Sequence, residues 1–286
     1  MLTKLDHVTI AVLDVALAVR SYQALLGCPP RWRGSHPELG TSAALFALSN
    51  SMVELMGPSP EAPDAVETQA LRDALQAHGE GLSTLSFGTD RAVECTRLLR
   101  ELGLRATTPQ DGEARSHAGV LRSYRLVELS PRSTRSLPIS IVERSEPLVP
   151  DSAAASERGE VQALDHVVIA SADLDQAVTL YRDKLGLRLA LDRVVRGVRM
   201  LFFRVGGVTL EFVHDPARAE ADALTGLAYR VQDLSAAHER MRGAGIELSE
   251  RRAGLKPGTE VFTVRSGTHG VPTLVLRDPS RDVRPS

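Results

Sequence analysis

The strongest constraint on this 286-residue chain is an internal repeat. The segment LDHVTIAVLDVALAVRSYQALLG, from Leu5, aligns without gaps on LDHVVIASADLDQAVTLYRDKLG, from Leu164. The offset is 159 residues, and 12 of the 23 positions are identical. Self-similarity at a fixed offset means that one supersecondary unit is used more than once, so the fold has to be read as copies. The shared positions include Leu5/Leu164, Asp6/Asp165, His7/His166, Asp14/Asp173, Tyr22/Tyr181 and Gly27/Gly186. Between the copies, SEPLVPDSAAASERGEVQA (145–163) is rich in Ser, Ala, Pro and Glu without apolar period, which is the composition of a linker. Domains are expected over 1–145 and 164–286, with the linker over 146–163.

Each half holds a second, fainter copy: GLSTLSFGTDRAVECTRLLRELG (81–103) and ALTGLAYRVQDLSAAHERMRGAG (223–245), which match each other at offset 142. Every copy runs from an apolar stretch of strand length through an Asp to an amphipathic stretch. It then stops at Gly27, Gly103, Gly186 or Gly245. That order reads as strand, helix N-cap, helix and C′ glycine. Short β-rich runs follow each helix, among them SAALFALS and SMVELMG. The chain is expected to be α+β, with four tandem β-α-β-β-β modules in two pairs. Tyr22 and Tyr181 fall at helical core spacing and read as packing.

Composition narrows the function. Thirty-six acidic against 34 basic residues leave a net charge of −2, so there is no electrostatic footprint for nucleic acid or an anionic membrane. No apolar stretch approaches the roughly 20 residues that span a bilayer. Asp6, Asp14 and Arg20 interrupt the N-terminal segment where a signal peptide needs an unbroken apolar core. Cys28 and Cys95 form no framework, which points to a reducing compartment. A cytoplasmic protein is expected. The chain has no G-x-S-x-G, no phosphate-binding glycine loop and no H-E-x-x-H.

The pattern L-D-H-V-x-I-A-x-x-D…Y…L-G at 5–27 and 164–186, with the strand endings SMVELMGP (51–58) and GVTLEFVHDP (207–216), resembles the vicinal oxygen chelate superfamily. This is the glyoxalase, bleomycin-resistance and extradiol-dioxygenase group. GSHPELGT (34–41) is similar to the G-x-H-P-x-x-G-T loop of a glyoxalase-like subgroup. The resemblance implies that each pair of modules curls its strands into a half-open barrel around a cleft. It also implies a divalent metal held by a His on the first strand and a Glu or Gln on the last strand of a module. By that pattern the ligands are His7 and Glu54 in module one, and His166 and Glu211 in module three. The matching positions in modules two and four are Thr84 with Ser140 and Gly226 with Leu274, which do not chelate tightly.

Imidazole nitrogen and carboxylate oxygen suit Fe(II), Mn(II), Co(II), Ni(II) or Zn(II). A lone strand His is ordinarily a packed side chain. A Glu in an apolar strand such as VTLEFV faces either solvent or a polar cleft, because an unpaired buried carboxylate is costly. Recurrence of both residues in two modules favours the metal. The preceding Asp6 and Asp165 alternate to the opposite strand face and read as structural. If modules pair one-with-two and three-with-four, each cleft holds half a ligand set. If one faces three, all four ligands converge. The linker permits either; retention of both ligands in both odd modules favours the shared site.

The expected function is therefore a divalent-metal-dependent isomerase or lyase of glyoxalase or epimerase type. Its substrate would be a small molecule with vicinal oxygens, and Glu54, Glu211 and His36 would move protons. The alternatives are a non-haem Fe(II) dioxygenase and a metal-free sequestering protein of bleomycin-resistance type, for which 11 aromatic residues are few. A homodimer is compatible with every reading; nucleic acid and membrane partners are not expected. The remaining histidines read as loop (His117, His269), next to the Glu211 strand (His214) or helix surface (His78, His238). Arg125 and Arg204 are candidates to hold a substrate carboxylate.

Overall fold

The computed structural model describes residues 1–36, 40–61, 66–145, 158–218 and 221–281. Four β-α-β-β-β modules follow one another along the chain. Module one is β1 (Lys4–Ala11), α1 (Val15–Leu26), β2 (Trp32–His36), β3 (Thr41–Ala47) and β4 (Met52–Pro58). A further helix, α2 (Val66–His78), leads to module two: β5 (Gly81–Gly88), α3 (Ala92–Glu101), β6 (Gln110–Ser116), β7 (Leu121–Leu129) and β8 (Ile139–Arg144). Module three is β9 (Val161–Ser171), α4 (Leu174–Val178) extended by a π-helical turn (Thr179–Lys184), β10 (Arg188–Val195), β11 (Val198–Val205) and β12 (Val208–His214). Module four is β13 (Ala223–Val231), α5 (Leu234–Gly243), β14 (Arg252–Ala253), β15 (Glu260–Val264) and β16 (Thr273–Arg277). Most of the expected linker, residues 146–157, lies outside the described residues, and β9 already begins at Val161.

The repeated Asp residues cap the helices they precede. Asp14 accepts from Leu17 N, Asp173 from Gln176 N and Asp233 from Ala236 N, each satisfying a first-turn donor. Asp90 does not fill this role at α3, where the Glu143 carboxylate of β8 accepts from Ala92 N at 2.7 Å. Gly27 closes α1 at φ 86°, and its N–H bonds the Gln23 carbonyl.

Modules one and two share a closed barrel, ordered β1-β4-β3-β2-β6-β7-β8-β5. β2 closes it against β6 through the pairs Gly34↔Ser116 and Ser35↔Arg115. Modules three and four share an open eight-stranded sheet, ordered β10-β11-β12-β9-β13-β16-β15-β14. The halves meet through one continuous apolar core containing Tyr22, Tyr181 and Tyr229, all fully buried. Asn50 reaches across to β9, donating to the Leu164 carbonyl at 2.8 Å and accepting from its N–H at 3.0 Å. No helix among the described residues is long and apolar enough to cross a membrane.

Candidate functional site

Side chains alternate across a strand, so the barrel interior collects one residue in two from each strand. The resulting cleft has a volume of about 200 Å³. His7 and Thr9 enter from β1, Glu54 from β4, Thr84 and Ser86 from β5, and Ser140 from β8. In register, Thr9 sits opposite Glu54 and Ser86 opposite Ser140. The pseudo-symmetry of the two modules therefore places Thr84 where module one has His7, and Ser140 where it has Glu54.

His7 Nε2 lies 3.5 Å from Glu54 Oε2, with both residues over nine-tenths buried. Thr9 Oγ1 donates to the same carboxylate oxygen at 2.8 Å. Burial alone would raise the Glu54 carboxyl, but His7, His36 and the Thr9 hydroxyl outweigh it and hold it below the usual carboxylate range. Behind His7, Asp6 Oδ1 is 2.8 Å from Nδ1 and accepts further bonds from Arg144 at 2.7 and 2.9 Å. Burial opposes ionisation of Asp6 as well, yet the contacts with His7 and Arg144 hold its carboxyl well below the ordinary value. An ionised carboxylate only accepts, so Nδ1 donates to Asp6 and Nε2 is the ring nitrogen turned towards Glu54.

This role for Asp6 corrects the expectation of a purely structural residue on the opposite face. The register of β1 on β5 passes from Leu5↔Phe87 to His7↔Ser86 and leaves Asp6 without a partner. That bulge swings the carboxylate round to the imidazole of the next residue. β9 repeats the device. Its register on β13 skips Asp165, and Asp165 Oδ2 stands 3.0 Å from His166 Nδ1.

The second pair, His166 Nε2 and Glu211 Oε2, lies 3.9 Å apart in the open sheet. Gly226 and Leu274 hold the corresponding positions across that sheet and provide no donor. The favoured convergence of His7, Glu54, His166 and Glu211 on one ion is therefore not formed. The pairs belong to separate sheets, and no three His, Cys, Asp or Glu among the described residues are grouped to hold a metal. The physical reason is strand pairing. β1 spends its two edges on β4 and β5, and β9 on β12 and β13, so modules pair in chain order.

Of the remaining histidines, only His36 enters the first cleft. It comes from the end of β2, while residues 37–39 of its GSHPELGT loop lie outside the described residues. Burial is the main cause that lowers its pKa, which favours the neutral imidazole, and Tyr124 Oη is 3.3 Å from Nδ1. His117, His78 and His214 are exposed. His269 ties the halves together instead, with Nδ1 2.8 Å from Glu80 Oε2. His238, expected at the surface, is half-buried edge-on to Phe262. Arg125 pairs with Asp111 on the outside, and Arg204 bonds Thr209; the cleft's guanidinium groups are those of Arg122 and Arg144. The sequence marked neither. Their signal was the alternation of Arg122, Tyr124, Leu126 and Glu128 along β7.

Residues 5–161 match the family described as glyoxalase-like domain, and residues 163–280 match the glyoxalase/bleomycin resistance protein/dioxygenase superfamily. An ethylmalonyl-CoA/methylmalonyl-CoA epimerase from Cereibacter sphaeroides is 28% identical over 125 residues, which is 40% of this chain and 86% of the epimerase. Among solved structures, a mutant 4-hydroxymandelate synthase from Streptomyces coelicolor superposes with a TM-score of 0.68 at 16% identity. It covers 96% of this chain and 92% of that one. A hypothetical protein from Staphylococcus aureus gives a TM-score of 0.63 at 10% identity over 97% and 99% of the two chains.

Proposed function

Because the chain belongs to the glyoxalase/bleomycin resistance/dioxygenase superfamily, we propose that its first barrel is a metal-assisted isomerase or lyase moving a proton on a small oxygenated substrate. One observation carries this reading: His7 Nε2, turned by Asp6, faces the Glu54 carboxylate across 3.5 Å in the cleft of the barrel. A ring nitrogen and a carboxylate held this close are bridged by positive charge, either a proton on Nε2 or a metal ion. Two donors bound at about 2.0–2.2 Å to one divalent ion stand roughly 3–3.5 Å apart, so the pair fits an ion as two of its ligands. Such an ion would polarise two vicinal oxygens of a substrate and acidify the adjacent carbon.

The chain's own groups do the rest. Glu54 stays ionised and balances the charge at the site. His36, kept neutral by burial, takes the proton from the carbon and returns it. The hydroxyls of Thr84, Ser86 and Ser140, on the adjoining strands β5 and β8, orient substrate oxygens by hydrogen bonds. Glu211, on β12 of the other sheet, takes no part in this cleft. An epimerase among the relatives accords with proton transfer.

The test is deuterium incorporation from D2O, followed by NMR, at the carbon beside the oxygens in a panel of 2-hydroxy and 2-oxo acids. Exchange under argon that His7→Ala and His36→Gln abolish is expected. Turnover that requires O2 would overturn the assignment.

A further inference from the structure

We propose that this cleft is shaped for a planar aromatic carboxylate, held by Trp32 and Tyr124 at its ring and by Arg122 at its charge. The substrate class rests on the cleft being the reaction site. The chain's only tryptophan lies here, on the inward face of β2 and 5% exposed. Its ring centroid is 5.9 Å from His36, and His36 is 6.0 Å from Tyr124, edge-on at 80°. A chain with few aromatic residues has therefore placed two of them, with an imidazole between, in one row along one wall.

The row is unfinished in two ways. Trp32 Nε1 is buried and has no hydrogen-bond partner among the described residues. An indole N–H is a donor only, and buried donors of this kind are nearly always satisfied, so an acceptor on a bound ring completes it. Ring faces and edges also attract other planar π-systems, whereas a puckered aliphatic ring offers no flat face. Gly34, between Trp32 and His36, keeps the wall flat. A Cβ there would lie 2.0 Å from the Arg115 carbonyl oxygen of β6 and 2.6 Å from Trp32 Cζ2.

Charge gives the ligand its polarity. Arg122 and Glu128 both line the cleft from β7, six residues apart, which is about 20 Å of strand. The aromatic end is thus the cationic end. Arg144, near it, is already engaged by Asp6, while Arg122 makes no ion pair among the described residues. A planar guanidinium beside an aromatic row matches a carboxylate carried on a ring. In the open sheet, the place of β2 is taken by β10, an edge strand with mostly exposed side chains and no aromatic residue.

Because the protein has a single tryptophan, its indole emission reports on this wall alone. Benzoate, nicotinate, isonicotinate and cyclohexanecarboxylate are titrated into the full-length protein. Benzoate should change the emission and bind about tenfold more tightly than cyclohexanecarboxylate. At least one pyridinecarboxylate, with its ring acceptor, should bind more tightly than benzoate. Calorimetry on Trp32→Phe should bring that isomer back to the benzoate affinity, and Arg122→Gln should weaken every aromatic carboxylate about tenfold. Equal affinity for benzoate and cyclohexanecarboxylate, binding without an indole response, or no binding of any probe would overturn the proposal. Glu54→Gln separates the two readings: it should abolish deuterium exchange and leave benzoate binding intact. Unchanged exchange in Glu54→Gln with intact ring selectivity would sink the reaction and spare the ligand.

Discussion

Asp6 Oδ1 accepts the Nδ1 proton of His7 at 2.8 Å from a bulge position that has no partner on the neighbouring strand. A neighbour in sequence has become a neighbour in space only because the register slips there by one residue. The contact fixes the tautomer and the ring angle of His7, and Arg144 in turn fixes Asp6. Asp165 and His166 repeat the relationship at 3.0 Å, with Arg230 3.4 Å from Asp165.

If this contact tunes a metal ligand, Asp6→Asn should weaken divalent-ion affinity by about 10- to 100-fold, the usual effect of losing the partner behind a ligating imidazole. Competition with a chromogenic chelator measures it. Unchanged affinity would mean that the bulge serves packing alone.

The two His–Glu pairs lie in different sheets, so they should respond independently. His7→Ala should abolish bound metal in the barrel and the deuterium exchange. His166→Ala should leave that exchange at the wild-type rate. Loss of exchange in both variants would restore a shared four-ligand centre, completed in an arrangement other than the single chain.

Much of this was legible in the sequence, and the reasons are local. The repeat at Leu5 and Leu164 disclosed the four modules, because strand-capped-helix-glycine order is encoded within some 23 residues. The caps at Asp14, Asp173 and Asp233 were readable for the same reason. Asp90 was misread because a residue 51 positions ahead of Ala92, Glu143, takes over the cap, and local pattern cannot show that. Non-local pairing also decided which modules face each other, and the repeat is silent on it. The role of Asp6 was hidden by a bulge, since strand alternation assumes an unbroken register. Trp32 and Arg122 drew no attention because their importance comes from β2 closing on β6.

Cys28 offers a pH-dependent check on the interface. Burial, with Glu160 adding repulsion, pushes its thiol up to about 12. Alkylation by iodoacetamide at pH 8 should therefore run about a thousandfold slower than for an unperturbed thiol, because the thiolate is the nucleophile. The sign of the stability effect follows from the raised value. The half-buried neutral thiol contributes fully below the ordinary thiol pKa, near 9, and the contribution is lost as pH rises from there towards 12. Unfolding by urea across that window should show a loss that Cys28→Ser reduces. Rapid alkylation of the native protein at pH 8 would contradict the burial.

Arg135 carries a further tie between the halves, and it does so from a strained backbone. Its φ is 54°, and that of Ser136 is 66°, both in the left-handed region that favours glycine. In that conformation the Arg135 carbonyl accepts from Asp222 N at 2.8 Å. The guanidinium bonds Asp222 Oδ1 at 3.0 Å and Gln176 Oε1 at 2.7 Å. The Asp222 side chain is fully buried, and burial pushes its carboxyl up despite the attraction of Arg135. Arg135→Ala leaves that carboxyl without its counter-charge and should cost about 3–5 kcal/mol, lowering the thermal midpoint by roughly 10 °C in a chain of this length. Arg135→Gly loses the same ion pair but relaxes the φ strain, so it should be about 1 kcal/mol less damaging than Arg135→Ala. Asp222→Asn in the Arg135→Ala background should recover part of the loss by removing the buried charge. Calorimetry on the three variants decides between them. An Arg135→Ala midpoint within a degree or two of wild type would show that the apolar core alone holds the halves together.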